Sequence, residues 1–412
     1  MIFLLNTDFN EKFSVIEPAE LERARVFQQF HQFFQFLIRD WNPQLHSILN
    51  DCGLHDDEFV NLFDFYQGTT SVVPHAVSAQ EIDFGLSRLD YQEDLVNSRY
   101  LVKRDKQLVG RINLFAESDM NEQSVQAVEQ FDMYGNLYKV DYYDERGFIS
   151  RSQWFSSGQQ IETECWCNLD GVPVLESFNQ HNVGGHFDQF GWRLYKRDGA
   201  MYSFDTFDAL YLEFVNDMNS QAFNPSRPNV IFFNRPDMVD QGLPEWRQPA
   251  YTVMNLYGAQ GDGGQNSNRL TVESLDEQFR GIANSYDSIV TATDSQRHYF
   301  VSKFQSTAKL LTIPGGTVSK ERLTAARMPT RARRIGSTRG VNQNRAGKLV
   351  MTFTLVKRLA KRRSDTVIWL SKSAAPLAAV WQQWEALLAD ATCRWPAKLA
   401  EYRGPIVRYQ QH

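Results

Sequence analysis

The sequence predicts an α/β protein: a doubly wound parallel domain interrupted by an antiparallel β-meander. Three observations predict it. The chain opens with an apolar run, Ile2–Leu5, then a loop, then a helical pattern from Pro18. In its middle, four apolar or aromatic runs each end at a glycine, Gly135, Gly147, Gly158 and Gly171, spaced 12, 11 and 13 residues apart. A strand of five to seven residues plus a short turn takes about 11 or 12 residues, the rhythm of consecutive hairpins. Further on, short apolar runs alternate with helical segments, the pattern of βαβ units.

The first strand leads into the loop Asn6–Glu17, and Pro18 suits a first helical turn. Leu21, Ala24, Phe27 and Phe34 lie near helical spacing, which predicts a helix from Pro18 to Asp40, although the aromatic load of VFQQFHQFFQFLI leaves its later part open to being a strand. In a doubly wound domain, ligands bind beyond the carboxyl ends of the strands, so the loop Asn6–Glu17 is expected to face a substrate crevice. His31 reads as a packing or surface residue. Asp56, Asp57 and Glu58 read as a solvated turn or helix start before FVNLFDFYQG.

The meander strands carry FDMYGNLYKVDYY, FISRSQWF, IETECWC and VPVLESF, whose partial alternation suits a sheet with one wet face. Asn136 and Asp170 are turn residues that tolerate a left-handed backbone. Singly, these residues are sheet builders, and function is sought on either side of them. A further hairpin, Gly191 to Tyr202, turns at Asp198-Gly199. A helix over Thr206–Asn219 shows Phe207, Leu210, Phe214 and Met218. NVIFFNR is a buried strand ending in Asn234, Arg235 and Asp237. Helical SLDEQFRGIANSYD, strand SIVTAT, helix DSQRHYFVSKF and strand KLLTIP with Gly315-Gly316 complete the βαβ pattern.

With 412 residues and 42% hydrophobic content, the chain can bury large cores in two or three domains. MIFLLN meets Asp8, Glu11 and Lys12 too soon for a signal-peptide core or a membrane span, so a cytoplasmic location is expected. Cys52, Cys165, Cys167 and Cys393 lack metal-ligand spacing and read as reduced thiols, with Cys165 and Cys167 on one face of a strand. The net charge of −6 hides a division: residues 1–321 hold 25 basic against 45 acidic residues, while Arg322–Arg363 holds 13 basic residues and no acidic one. Phe353 alone interleaves aromatic character there, so base-stacking platforms are missing and a basic linker is favoured over a nucleic-acid site. The sequence has no zinc-binding histidine pair, no GxSxG and no Walker loop. Asp237, Asp240 and Glu245 read as loop caps before metal ligands, and Gly261-Asp262-Gly263-Gly264 as a loop.

The order of the first strand, SVIEPAELERARVF, LHDDEFVNLFDFYQ, the meander with VDYYDERGFISRSQWF, and SIVTATDSQRHYFVSKF followed by LLTIPGG resembles bacterial glycosyltransferases with an inserted β-meander. These are the poly(glycerol phosphate) alpha-glucosyltransferases of wall teichoic acid and the glycosyltransferases of the accessory secretion system. The similarity runs from about residue 1 to about residue 361, and the meander together with TATDSQR is its most specific part. The resemblance implies a GT-B-like fold of two Rossmann-like domains, here 1–75 with 205–325, a meander over 76–204, and a basic linker with an incomplete donor-side domain over 326–412. It implies retaining transfer of a hexose from a UDP-sugar to teichoic acid or a serine-rich protein. It further implies no cofactor beyond that donor substrate, a homo-oligomer or homologous subunit held through the meander, compatibility with peripheral membrane contact, and no nucleic acid.

The resemblance also carries site residues. The family's donor loop reads Ser-Gly-Ile-Glu, matched here by Ser14, Val15, Ile16 and Glu17, with a branched valine where close backbone approach is wanted. The family's diphosphate-holding Arg-Leu-x-x-Glu-Lys is matched by Arg358, Leu359, Ala360 and Lys361, with Arg362 in place of the glutamate and Arg363 at the lysine position. Cations there would stabilise charge growing on the leaving diphosphate. The family's histidine after the strand matching YTVMNLYGAQGDG is absent, Met254 being the nearest aligned position. Beyond Lys361 the likeness stops, and the following stretch holds four of the nine tryptophans. The expectation is a truncated or frame-shifted gene lacking the family's paired glutamates, with a tail folded at most as an amphipathic helix around Leu377–Leu388. Two functions follow: an impaired glycosyltransferase, or a non-catalytic acceptor-binding or stabilising subunit. A third, polyanion binding by the basic run, would show as salt-sensitive nucleic-acid binding.

Overall fold

The computed structural model describes residues 1–9, 16–115, 124–181, 187–234, 245–256, 283–314, 316–318 and 374–401. Every residue of Ile2–Asn6 (β1) is buried, as befits a strand covered on both faces. Helix α1 (Ile16–Gln29) follows, then β2 (Phe34–Ile38), α2 (Leu45–Asp51), β3 (Phe59–Asn61) and α3 (Leu62–Gln67). Ten strands come next: β4 (Asp90–Asp94), β5 (Arg99–Arg104), β6 (Gln107–Leu114), β7 (Val125–Phe131), β8 (Leu137–Tyr143), β9 (Ile149–Phe155), β10 (Ile161–Cys167), β11 (Pro173–His181), β12 (Phe187–Tyr195) and β13 (Met201–Phe204). The chain then forms α4 (Phe207–Gln221), β14 (Val230–Phe233), β15 (Tyr251–Leu256), β16 (Ser288–Thr291), α5 (Asp294–Lys303), β17 (Lys309–Thr312), β18 (Gly316–Val318), β19 (Ala374–Pro376) and α6 (Leu377–Glu401).

The chain divides into two compact units, and the division falls within β1, after Leu4. The first unit holds α1, β14 to β17, α5 and α6. Its strands lie in the order β17-β16-β15-β14-β1, and β14 to β17 pair in parallel register, Phe233 opposite Met254 and Met254 opposite Ile289. Ile231, Phe232, Val253, Met254, Ile289 and Phe300 form its core. Helix α6 buries Val380, Trp384, Leu387, Ala391 and Trp395, positions three or four apart that make one helical face. Trp384 meets Phe232 at 5.6 Å and Phe27 at 5.8 Å, Trp381 stacks on Phe30 at 4.6 Å, and the Trp395 indole N–H donates to Pro225 O at 3.0 Å.

The second unit holds the order β1-β2-β3, with β2 and β3 parallel, and an antiparallel sheet in which β4 to β13 neighbour one another in chain order. Gly135, Gly147 and Gly171 take the left-handed turn positions at φ +84°, +90° and +77°. At the turn around Gly158 the left-handed residue is instead Gln159, at φ +58°. Trp166 and Trp192 stack at 5.4 Å, joined by Phe63 and Phe207 at 4.7 Å and 4.6 Å. At the other end of the sheet, Ala79 and Ile82 pack on Val102, Ile112 and Val128.

Two expectations change. The helix read from Pro18 to Asp40 ends at Gln29. His31 takes φ +51°, and Phe34–Ile38 is strand β2, so the strand alternative for that aromatic stretch is the one realised. Phe34, Phe36, Leu37 and Ile38 are all buried, and pairing with β3 rewards them as a strand. The tail helix runs to Glu401 rather than Leu388, because Ala391 and Trp395 continue the buried face. The basic run 322–363 and the early part of SLDEQFRGIANSYD lie outside the described residues.

Candidate functional site

The carboxyl ends of parallel strands are where open α/β sheets bind ligands, and in the first unit the residues there turn from apolar to polar. Asn234 follows β14 and Asn255 sits near the end of β15; both are buried. Asn255 Nδ2 donates to Asn234 Oδ1 at 2.9 Å, and Arg23 Nη1 donates to the same oxygen at 3.2 Å. Arg23 comes from the buried face of α1, which also carries Ala19, Glu20, Ala24 and Phe27. Its guanidinium lies 5.4 Å over the Phe232 ring and 5.2 Å over Trp384. Burial pulls its pKa down to about 10, with the nearby Glu20 opposing that shift, so it stays charged at neutral pH. A buried cation on an amide that a second amide holds in place is chemistry for an anionic or hydroxyl-rich ligand.

The motif TATDSQR builds the neighbouring strand end. Thr293 caps α5, its side chain accepting from Gln296 N at 3.2 Å, while Gln296 Oε1 accepts from Ala292 N and Thr293 N at 2.9 and 3.1 Å. This reciprocal capping box fixes the turn from β16 into α5. Thr312, at the end of β17, donates to Asp294 Oδ1 at 2.8 Å. At the opposite ends of these strands, Tyr251, Lys309 and Arg394 converge on Asp390 of α6 at 3.0, 2.8 and 3.1 Å, and Lys398 pairs with Asp287. That edge holds α6 in place.

Of the residues expected in the site, Ser14 and Val15 lie outside the described residues, as do Arg358 and Arg363. Ile16 and Glu17 open α1, and their side chains are outside the description. Asp237, Asp240 and residues 261–264 are also outside it. Met254 lies inside β15 and is fully buried, so the polar group at that strand end is Asn255. Among the described residues no group of three or more His, Cys, Asp or Glu is placed to hold a metal, and no helix is long and apolar enough to cross a membrane. Arg23 and Asn255 are not among the site residues that the sequence singles out. Their signals were a charge on the apolar face of a helix and an amide closing an apolar strand.

In the second unit, the β1 end is fixed by backbone pairing: Arg39 N donates to Asn6 O at 3.0 Å and Asp40 N to Thr7 O at 2.7 Å. Tyr211 donates to Leu37 O at 2.7 Å. Arg39 reaches Asp208 at 2.6 Å, tying the segment after β2 to α4.

No protein-family model and no curated protein matches the chain. Solved structures do. The pneumococcal O-GlcNAc transferase GtfA, in complex with UDP and GlcNAc, matches with a TM-score of 0.58 and 18% identity, over 77% of this chain and 61% of that one. The S. aureus protein TarM, as a mutant in complex with fondaparinux, alpha-GlcNAc-glycerol and UDP, matches at 0.54 and 12%, over 76% and 61%. A Glycosylation Associate Protein complex from Streptococcus agalactiae matches at 0.54 and 13%, over 77% and 61%. The chain spans 61% of the length of each of these structures. What it has in common with them is the fold: a parallel α/β sheet together with a separate antiparallel sheet.

Proposed function

We propose that this protein is a glycosyltransferase by descent, binding a UDP-sugar and moving a hexose with retention to teichoic acid or a serine-rich protein, with weakened catalysis. The carrying observation is the antiparallel sheet placed between α3 and α4 of a parallel α/β fold, the architecture it has in common with solved structures that include a UDP-bound O-GlcNAc transferase. In this reading Ser14 and Val15, with Ile16 and Glu17 at the start of α1, approach donor and acceptor, Arg358 and Arg363 hold the diphosphate, and Arg23 with Asn234 and Asn255 lines the crevice at the strand ends. Val15 and Arg362 replace residues the family uses, which accounts for weakened transfer. The antiparallel sheet mediates self-association or pairing with a homologous subunit.

A second reading is a non-catalytic acceptor-binding or stabilising subunit. The position of α6 favours it: its buried face packs on α1 and β14, so this helix belongs to the first α/β unit. Radiolabelled UDP-glucose and UDP-N-acetylglucosamine, offered to the purified chain with poly(glycerol phosphate) or a serine-rich peptide, separate the two. Transfer with an α-linked product supports the enzyme. Acceptor binding in calorimetry without turnover supports the subunit, and binding of neither donor nor acceptor overturns both.

A further inference from the structure

Cys165 and Cys167 lie two residues apart on β10, with their sulfurs 3.5 Å from one another. The strand is not regular there: Trp166 pairs with Leu175 but Cys167 with Pro173, a shift in register between the two residues. Such a bulge re-aims a side chain. The main chain at this point is held from α3, where Gln67 Nε2 donates to Cys167 O at 2.7 Å and to Ser150 O at 2.8 Å. Trp166, between the cysteines, is buried in the stack with Phe63 and Trp192.

The two thiols are not equivalent. Cys165 is buried and Cys167 is half-buried. The hydrogen bond between them, helped by the nearby Lys139, lowers the Cys167 pKa, while the same bond and burial push that of Cys165 up. Cys167, the more accessible of the two, is the thiol that attacks, and Cys165, buried with its sulfur 3.5 Å away, the one that resolves.

We propose that Cys165 and Cys167 form a reactive thiol pair that small-molecule disulfides convert to an intrachain disulfide. The Cys167 thiolate attacks one reagent sulfur; the reagent S–S bond breaks, a mixed disulfide forms and one reagent thiolate leaves. Cys165 then gives up its proton and attacks the Cys167 sulfur, releasing the second reagent thiolate. Two protein thiols are oxidised, one reagent disulfide is reduced to two thiols, and the two protein protons end on those products or in solvent. Because Cys167 O anchors Gln67 and Trp166 links the two cysteines along the strand, closure is reported to the aromatic stack. This site is independent of the sugar-transfer reading.

The test uses the full 412-residue chain with Cys52→Ser and Cys393→Ser, which removes the other two thiols. With 4,4′-dithiodipyridine the expected result is two thiopyridone molecules released per chain, no retained adduct, loss of two hydrogens by intact mass, and a change in tryptophan emission that dithiothreitol reverses. Adding Cys165→Ser should leave one pyridyl adduct on residue 167 and release one thiopyridone. Adding Cys167→Ser should slow the first release by about tenfold or more. Cys165→Ala, with far-UV circular dichroism on every variant, separates lost reactivity from lost fold. Retained pyridyl adducts on the chain that has both cysteines, or equal rates for the two single variants, would overturn the proposal.

Discussion

Arg23 is a charged side chain held inside an α/β core, its guanidinium over the rings of Phe232 and Trp384 and its Nη1 on Asn234. Removing one member of a buried charge pair leaves the other exposed to a low dielectric. Arg23→Met keeps the length but removes the charge opposing Glu20, and is expected to cost about 3 kcal/mol in urea unfolding. Two glycines offer a cleaner contrast. A Cβ on Gly147 would stand 1.7 Å from the backbone oxygen of His75, whereas a Cβ on Gly135 meets nothing within 4 Å; both residues have positive φ. Gly135→Ala should cost about 1–2 kcal/mol, the backbone term alone. Gly147→Ala must also move main chain, and a loss above about 4 kcal/mol is expected in the same measurement.

At the scale of elements, two contacts decide how secondary structure is held. Helix α6 enters the first unit through Trp384, which touches both Phe27 and Phe232. Trp384→Ala should lower stability by about 3–5 kcal/mol, and a melt within experimental error of the parent would mean that α6 is not docked in solution. The second contact is a buried charge network joining α2, α3 and the turn between β8 and β9. His46 Nε2 lies 3.2 Å from Asp64 and its Nδ1 3.0 Å from Asp56; Arg146 reaches Asp64 and Asp144, each at 2.6 Å, and Thr69 O at 2.7 Å. Burial works against a charged His46, but Asp64 and Asp56 outweigh it and raise its pKa above 6.5. A raised histidine contributes its stability fully below the unfolded value, about 6.5, and loses it as pH rises through the higher folded value. Asp64 works the other way: burial opposes its charge, His46 and Arg146 hold its pKa below 3.8, and its contribution disappears as pH falls through that lower value. His46→Gln is therefore expected to cost more stability at pH 5.5 than at pH 8.5, in denaturant titrations at the two pH values. An equal cost at both would show that the histidine is not charged in the fold.

For the whole molecule, Trp384 and His46 belong to different compact units and have no partner in common among the described contacts. The double variant should then lose the sum of the two single losses within about 0.5 kcal/mol, and a larger coupling would mean that the units respond as one. Local pattern alone determined a good part of this protein. All-apolar β14, the apolar centre of β16, the turn glycines 135, 147 and 171, and the Thr293–Gln296 cap of α5 are set by neighbours within a few residues, whose periodicity and turn chemistry are written in the chain. The tertiary structure decided the rest. Phe34–Ile38 suits helix or strand until β3 lies beside it, and a tryptophan-rich tail has no assigned place until Phe27, Phe30 and Phe232 offer a surface. Arg23, Asn234 and Asn255 are separated by 211 and 21 residues and meet only because β14 and β15 end on one edge with α1 packed beside it. Periodicity encodes contacts over a turn or a hairpin, whereas burial and charge pairing between distant segments depend on which surfaces the folded chain brings together.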